Sequence, residues 1–101
     1  MENLSVLFEE KKAVVKVVGP VNALNATEFE KTVLDELEGK DIQSVVIDAD
    51  EMNYISSAGL RALFSIMDAV ENTSIINVSE ELYEIFDVTG YCQMMKVEPK
   101  K

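Results

Sequence analysis

The stretch Tyr54-Ile55-Ser56-Ser57-Ala58-Gly59-Leu60-Arg61 holds the residues best placed for chemistry. It lies between a β-branched apolar run and a segment of helical period, which sets its hydroxyls at a helix start. Ser57 reads as the N-cap, with Ala58, Gly59 and Leu60 as the first turn. A helix start offers unpaired N–H groups and the positive end of the helix dipole. Gly59, without a Cβ, leaves that turn open to close approach by another molecule. A hydroxyl there is open to modification, and a phosphate on it would add about −1.5 to −2 charges where helix electrostatics tolerate them. Capping alone, worth about 1 kcal/mol, is the commoner reason for a serine at such a place. Arg61 is near enough in sequence to meet a phosphate, although a lone arginine is more often a plain surface residue.

Missing residue types exclude most other chemistry. The chain has no His, so it has no Ser-His-Asp triad, no Cys-His pair, no His-ligated zinc and no side chain with an ordinary pKa near neutrality. A nucleophilic serine would then need a lysine or carboxylate base, and no Ser-x-x-Lys pairing is present. Cys92 is the one cysteine. It makes neither an internal disulfide nor a zinc site, and reads as a small apolar residue in a reducing compartment. Asp48, Asp50 and Glu51 lack the ligand ladder and glycine of a calcium loop and read as a solvated strand end. Glu80, Glu81, Glu84 and Asp87 read as a helix start and solvent face, and Met94-Met95 as core or edge filling. No glycine-rich phosphate loop occurs, and no metal or cofactor is expected.

The elements that position the serine turn follow from periodicity. Alternating segments at Leu4 to Phe8 and Ala13 to Val18 form a hairpin or edge pair, the second stopped by Gly19-Pro20. Asn25 and Glu28 have capping-box spacing, followed by Phe29, Val33 and Leu37 on one stripe of a helix ending before Gly39. Ser44 to Ile47 reads as a strand covered on both faces. The loop Met52 to Ser57 leads to a second helix with Leu60, Leu63, Phe64, Met67 and Val70 as its apolar positions. Ile75 to Val78 is another strand, Ser79 caps a third helix carrying Leu82, Ile85 and Phe86, and Gly90 closes it. Met94 to Val97 adds a last strand. The class is therefore α/β, a mixed sheet of four or five strands with three to four helices packed on it and right-handed crossovers.

The 101 residues carry 19 acids and 9 bases, a formal net charge of −10, and 48% are hydrophobic. One domain spanning 1–101, with its core at about 4–97 and a short lysine-tipped tail, fits that length and composition. Residues 22–53 sum to −7 and 54–88 to −5, whereas 1–21 are neutral and 89–101 sum to +2. An acidic surface repels phosphates, so neither nucleic acid nor an anionic membrane is an expected partner. No basic leader followed by an apolar run and no stretch of membrane-spanning length occurs, so a cytoplasmic location is expected.

These elements, in this order around Ser57, resemble the STAS domain family, and in particular its single-domain bacterial anti-sigma factor antagonists, or anti-anti-sigma factors. Four pieces carry the resemblance from about Leu4 to Val97: Val17 to Asn22, Val45 to Asp48, Tyr54 to Leu60, and Ser79 to Gly90. The third piece is the most specific. The resemblance implies a phosphorylation-controlled binding module and not an enzyme. Its unphosphorylated form binds an anti-sigma factor that is itself a serine kinase. That kinase uses ATP to phosphorylate the antagonist, which then lets go, and a serine phosphatase resets it.

The phosphoacceptor implied by the resemblance is the serine before the small residue and Gly-Leu, here Ser57, with Asn22, Ser56, Ala58, Gly59, Leu60 and Arg61 as its partner-binding surroundings. Where the family commonly has Asp before the acceptor this chain has Ser56, which becomes a rival acceptor. Asn22 stands where the family often has an acidic residue. Within the same family, the alternative role is an accessory subunit of a transport system that binds without a phosphorylation cycle. Another class, a small enzyme or nucleotide-binding protein, has no supporting motif in the sequence.

Overall fold

The structure is a computed structural model that describes residues 3–100. In chain order the elements are β1 (Leu4–Glu9), β2 (Lys12–Val21), α1 (Ala26–Leu37), β3 (Ser44–Ile55), α2 (Ser57–Ala69), β4 (Asn72–Val78), α3 (Glu80–Val88), α4 (Tyr91–Met94) and β5 (Lys96–Pro99). The α/β class holds, with five strands and four helices among the described residues. Strands run in sequence order across one sheet. β1 is antiparallel to β2 through a two-residue turn in which Glu10 takes φ 56°, while β2, β3, β4 and β5 are mutually parallel.

Parallel strands added always on the same side, through right-handed crossovers, carry every helix to one face of the sheet. The burial pattern shows this layering. Ala13, Val15 and Val17 of β2, Val45, Ile47 and Ala49 of β3, and Thr73 and Ile75 of β4 are enclosed, whereas the alternate residues Val14, Val46 and Ser74 are only half-buried. β3 is thus covered on one face and not on both, because the helices among the described residues all pack on that one face. Phe29, Val33 and Leu37 of α1 and Leu63 of α2 supply the helical half of the core as their spacing predicts, joined by Ala62 and Ile66, which the expected stripe of α2 did not include; Leu60, Met67 and Val70 are only half-buried. Full burial of each such side chain is worth about 1.5–3 kcal/mol.

Several boundaries differ from the sequence expectation. Gly19-Pro20 does not stop β2. The strand passes through Gly19, at φ 89°, and through a register shift between Gly19 and Pro20, then reaches Val21. An irregular ladder tolerates a proline that has no N–H to give. The opposite strand is extended in turn: Gly19 pairs with Met52, Pro20 with Tyr54 and Val21 with Ile55, so most of the expected loop Met52 to Ser57 is strand. The capping box at Asn25 does not form; the Asn25 side chain turns back instead to the Asn22 N–H and the Pro20 carbonyl. Met94 to Val97 is not one strand but the end of α4 followed by β5. Pro99 belongs to that strand, and Lys100 bonds the Val78 carbonyl and pairs with Asp50 at 3.2 Å, so it is no loose tail. Lys101 lies outside the described residues. Ser79 does cap α3, its Oγ accepting from the Leu82 N–H at 3.3 Å, and Gly90 follows that helix at φ 84°.

Candidate functional site

The serine turn is built where β2 and β3 run out together. One backbone bond past the ladder, from the Ser56 N–H to the Val21 carbonyl at 2.9 Å, fixes the chain as it enters α2. Ser56 has extended dihedrals, φ −90° and ψ 174°, and its Oγ accepts from the Gly59 N–H at 3.1 Å. Ser56 is therefore the N-cap, and Ser57, expected as the cap, is the first helical residue. The ladder bond decides this, because it holds Ser56 in the extended geometry that a cap requires. Ser56 is half-buried with its hydroxyl engaged; Ser57 is exposed, and its hydroxyl makes no hydrogen bond.

Gly59 does not open the turn to another molecule. It is buried, and a Cβ there would sit 2.7 Å from Ile55 Cγ1, 3.0 Å from Val21 Cγ1 and 3.1 Å from the Val21 carbonyl oxygen. The glycine lets α2 rest directly on the two strand ends. Ala58 and Leu60 are half-buried against the core. The Leu60 carbonyl accepts from the Tyr91 hydroxyl of α4, and burial pushes the Tyr91 phenol up from its ordinary pKa. Arg61 is exposed and, among the described residues, in no ion pair.

Asn22 builds a neighbouring loop and does not project from it. Its side-chain oxygen accepts from the Leu24 and Asn25 N–H groups at 2.9 and 3.2 Å, while Asn25 Oδ1 accepts from the Asn22 N–H at 2.8 Å. This closed set of bonds holds Leu24 out at 95% exposure. Tyr54, beside Pro20, and Phe64, two turns along α2, are each about half exposed. Phe64 was expected among the apolar positions of α2. Its helical position instead lies seven residues after Ser57 and three after Arg61, which places all three on one outward face. The exposure of Leu24 and of Tyr54, the latter within the stretch singled out from the sequence, was not legible there because a single apolar residue in a loop or at a strand end carries no period.

The other acidic candidates have structural partners. Asp48 Oδ1 accepts from the Asp50 N–H and from Asn77 Nδ2 at 3.0 and 3.1 Å, and Glu51 pairs with Lys16 at 3.1 Å. They lie within β3, not at its end. Cys92 is half-buried beside Tyr83, whose phenol it pushes up. Met95 is buried and Met94 about half exposed. Among the described residues, no group of three or more His, Cys, Asp or Glu side chains gathers as a metal site, and no helix is long and apolar enough to cross a membrane.

The fold is thus a five-stranded sheet with helices on one face and a capped, hydroxyl-bearing turn at its strand ends. The STAS domain model matches residues 4–101, and the chain belongs to that family. It is 26% identical over 83 residues, 78% of this chain and 71% of the relative, to the "Putative anti-sigma factor antagonist BtrV" of Bordetella bronchiseptica. The fold is shared with an anti-sigma factor antagonist from Mycobacterium paratuberculosis at a TM-score of 0.84 and 17% identity, over 95% of this chain and 84% of that one. It is shared also with the Bacillus cell fate determinant SpoIIAA in its phosphorylated form, at a TM-score of 0.72 and 12% identity, over 93% and 89% of the two chains.

Proposed function

We propose that this protein is a phosphorylation-controlled anti-sigma factor antagonist. It binds a serine-kinase anti-sigma factor while unphosphorylated and is released when that kinase phosphorylates Ser57. It acts in the cytoplasm as a binding module, not as an enzyme; ATP belongs to the kinase, and a serine phosphatase returns the protein to its binding form. The observation that carries the reading is the division of labour between adjacent serines: Ser56 spends its hydroxyl on the Gly59 N–H, and Ser57 presents a free hydroxyl on the exposed side of the same turn. The substitution of Ser56 for the family's Asp is compatible with it, since Ser and Asp cap helices about equally well.

The physics of release follows from the geometry. A partner seated on the first turn of α2 must strip water from Ser57, with Leu24 and Tyr54 supplying apolar contact beside it. A phosphate there is tolerated in the free protein by the helix start. In the complex it becomes a buried charge, costing several kcal/mol unless paired, and each 1.4 kcal/mol is tenfold in affinity. The surrounding acidity, −7 over residues 22–53, favours a partner with basic groups before phosphorylation and repels one without them.

Incubation with a cognate kinase-type anti-sigma factor and Mg-ATP, read by intact mass, tests this. Ser57→Ala should bind and take no phosphate, and Ser56→Ala should still be phosphorylated. A Ser57→Ala protein that still gains one phosphate, lost only in Ser56→Ala, would refute the assignment. Absence of phosphate on either serine in cells, with co-purification of transporter components, would favour the accessory-subunit role.

A further inference from the structure

The open face of the sheet stands apart from the rest of the surface. An uncovered sheet face usually alternates fully with polar residues, yet Leu7, Val14 and Val46 stand side by side across β1, β2 and β3 in the paired register. Leu7 is 65% exposed, and Val14, Val46 and the neighbouring Ile76 are half-buried and lie outside the core cluster. Around this row both signs of charge occur. Lys12, Lys16 and Lys96 lie among Glu9, Asp48, Glu51 and Glu98, and three of these carboxylates already pair with them at 3.1 to 3.7 Å.

The face thus carries a net charge of about −1 in a chain of −10, and nearly all the excess acid lies elsewhere. Any approach of two copies through their helical sides sets like charges together. Approach through the open faces does not, and it places the two acidic sides at the outside of the pair.

We propose that the open sheet face is a self-association surface, on which a second copy of this chain packs face to face about a twofold axis near Val14 and Val46. A symmetric contact needs a self-complementary patch, and an apolar centre with charges of both signs around it is one. Five strands at about 4.8 Å spacing and six residues at about 3.3 Å give each copy a face of about 24 by 20 Å. Two such faces bury on the order of 1,000 Å², the lower limit for a specific interface, so the dimer is a weak one, populated only at high protein concentration. Ser57 stays uncovered, because α2 packs on the opposite side of the sheet; the pair therefore displays two serine turns at once.

Sedimentation velocity of the full chain from about 5 to about 300 μM reads the association directly. A concentration-dependent shift from monomer to dimer that survives raised salt is expected. Leu7→Glu, at an exposed edge position that the fold does not need, should weaken it at least about tenfold, and Val46→Thr should weaken it less. Leu24→Glu, on the loop beside the serine turn, should leave it unchanged. A monomer throughout the range, or a dimer indifferent to Leu7→Glu or abolished by Leu24→Glu, would overturn the proposal.

Discussion

Replacing Gly59 with alanine sets two opposed effects against each other at the serine turn. Alanine is favoured over glycine inside a helix by about 1 kcal/mol, so on helix propensity alone the substitution stabilises. The new Cβ, however, would lie 2.7 Å from Ile55 Cγ1 and 3.0 Å from Val21 Cγ1, both at the buried ends of paired strands, and 3.1 Å from the Val21 carbonyl oxygen. Ordinary contact is about 3.5–4.0 Å, so both side chains must yield by half an ångström or more. The carbonyl cannot move without loosening its bond from the Ser56 N–H. Overpacking of this kind costs about 1–3 kcal/mol, and with three contacts at once the upper end applies. The net expectation is a loss of about 2 kcal/mol, or about 8–16 °C in Tm for a domain of this size. Urea denaturation followed by circular dichroism should show a lower midpoint with an unchanged m-value. An unchanged or raised Tm would show that α2 does not rest on the strand ends as described.

Other perturbations address the same turn from different sides. Ser56→Ala removes the N-cap and should cost about 1 kcal/mol in denaturant stability while leaving Ser57 open to phosphorylation; no measurable loss would return the cap to Ser57. Tyr91→Phe removes the hydroxyl that donates to the Leu60 carbonyl and should cost about 0.5–1.5 kcal/mol at neutral pH. The same variant alters the alkaline limb. Burial raises the Tyr91 pKa above its ordinary value of 10.0, so above pH 10 the folded state holds a proton that the unfolded state has lost. Its contribution is complete below pH 10 and is lost as pH rises through the folded pKa. Lys16, raised chiefly by its hydrogen bond to Glu51, and Tyr83, raised chiefly by Cys92, act in the same direction. Stability should therefore fall above pH 10, and less steeply in Tyr91→Phe; equal slopes in the two proteins would refute the burial of that phenol.

The order of elements was readable because local signals agreed with the fold. Phe29, Val33 and Leu37 share a helical stripe, Ser79 precedes α3 with its capping hydroxyl, and the alternation in β1 and β2 matches the face they bury. The differences arise where tertiary partners decide. Nothing local in Met52 to Ile55 distinguishes strand from loop; the ladder to Gly19, Pro20 and Val21 makes it strand. That same ladder moves the cap from Ser57 to Ser56. Asn25 satisfies a capping-box pattern, but Asn22 and Pro20 offer its side chain better placed partners. Gly59 looked like an opening because a missing Cβ says nothing about which neighbour fills the space.

Ser56 carries a further consequence for the phosphorylated state, since it stands next to the acceptor where the family commonly has a carboxylate. Side chains at the cap and the first helical position lie on the order of 6 Å apart, and two unit charges at that distance in water repel by about 0.7 kcal/mol. The second ionisation of a phosphate on Ser57 adds one such charge. Ser56→Asp keeps a capping oxygen for the Gly59 N–H but sets a carboxylate beside that phosphate. It should raise the phosphate's second pKa by about half a unit, at 1.36 kcal/mol per unit. In the natural sequence the helix start and the uncharged cap should hold that pKa at or below its ordinary value of about 6. Phosphorus NMR titration of the two phosphorylated proteins measures the difference directly. Coincident curves would place the phosphate away from the cap, and so off the first turn of α2. A shift in the expected direction would mean that the Ser56 substitution leaves the phosphate more fully ionised near neutral pH, strengthening the charge that a docked partner would have to bury.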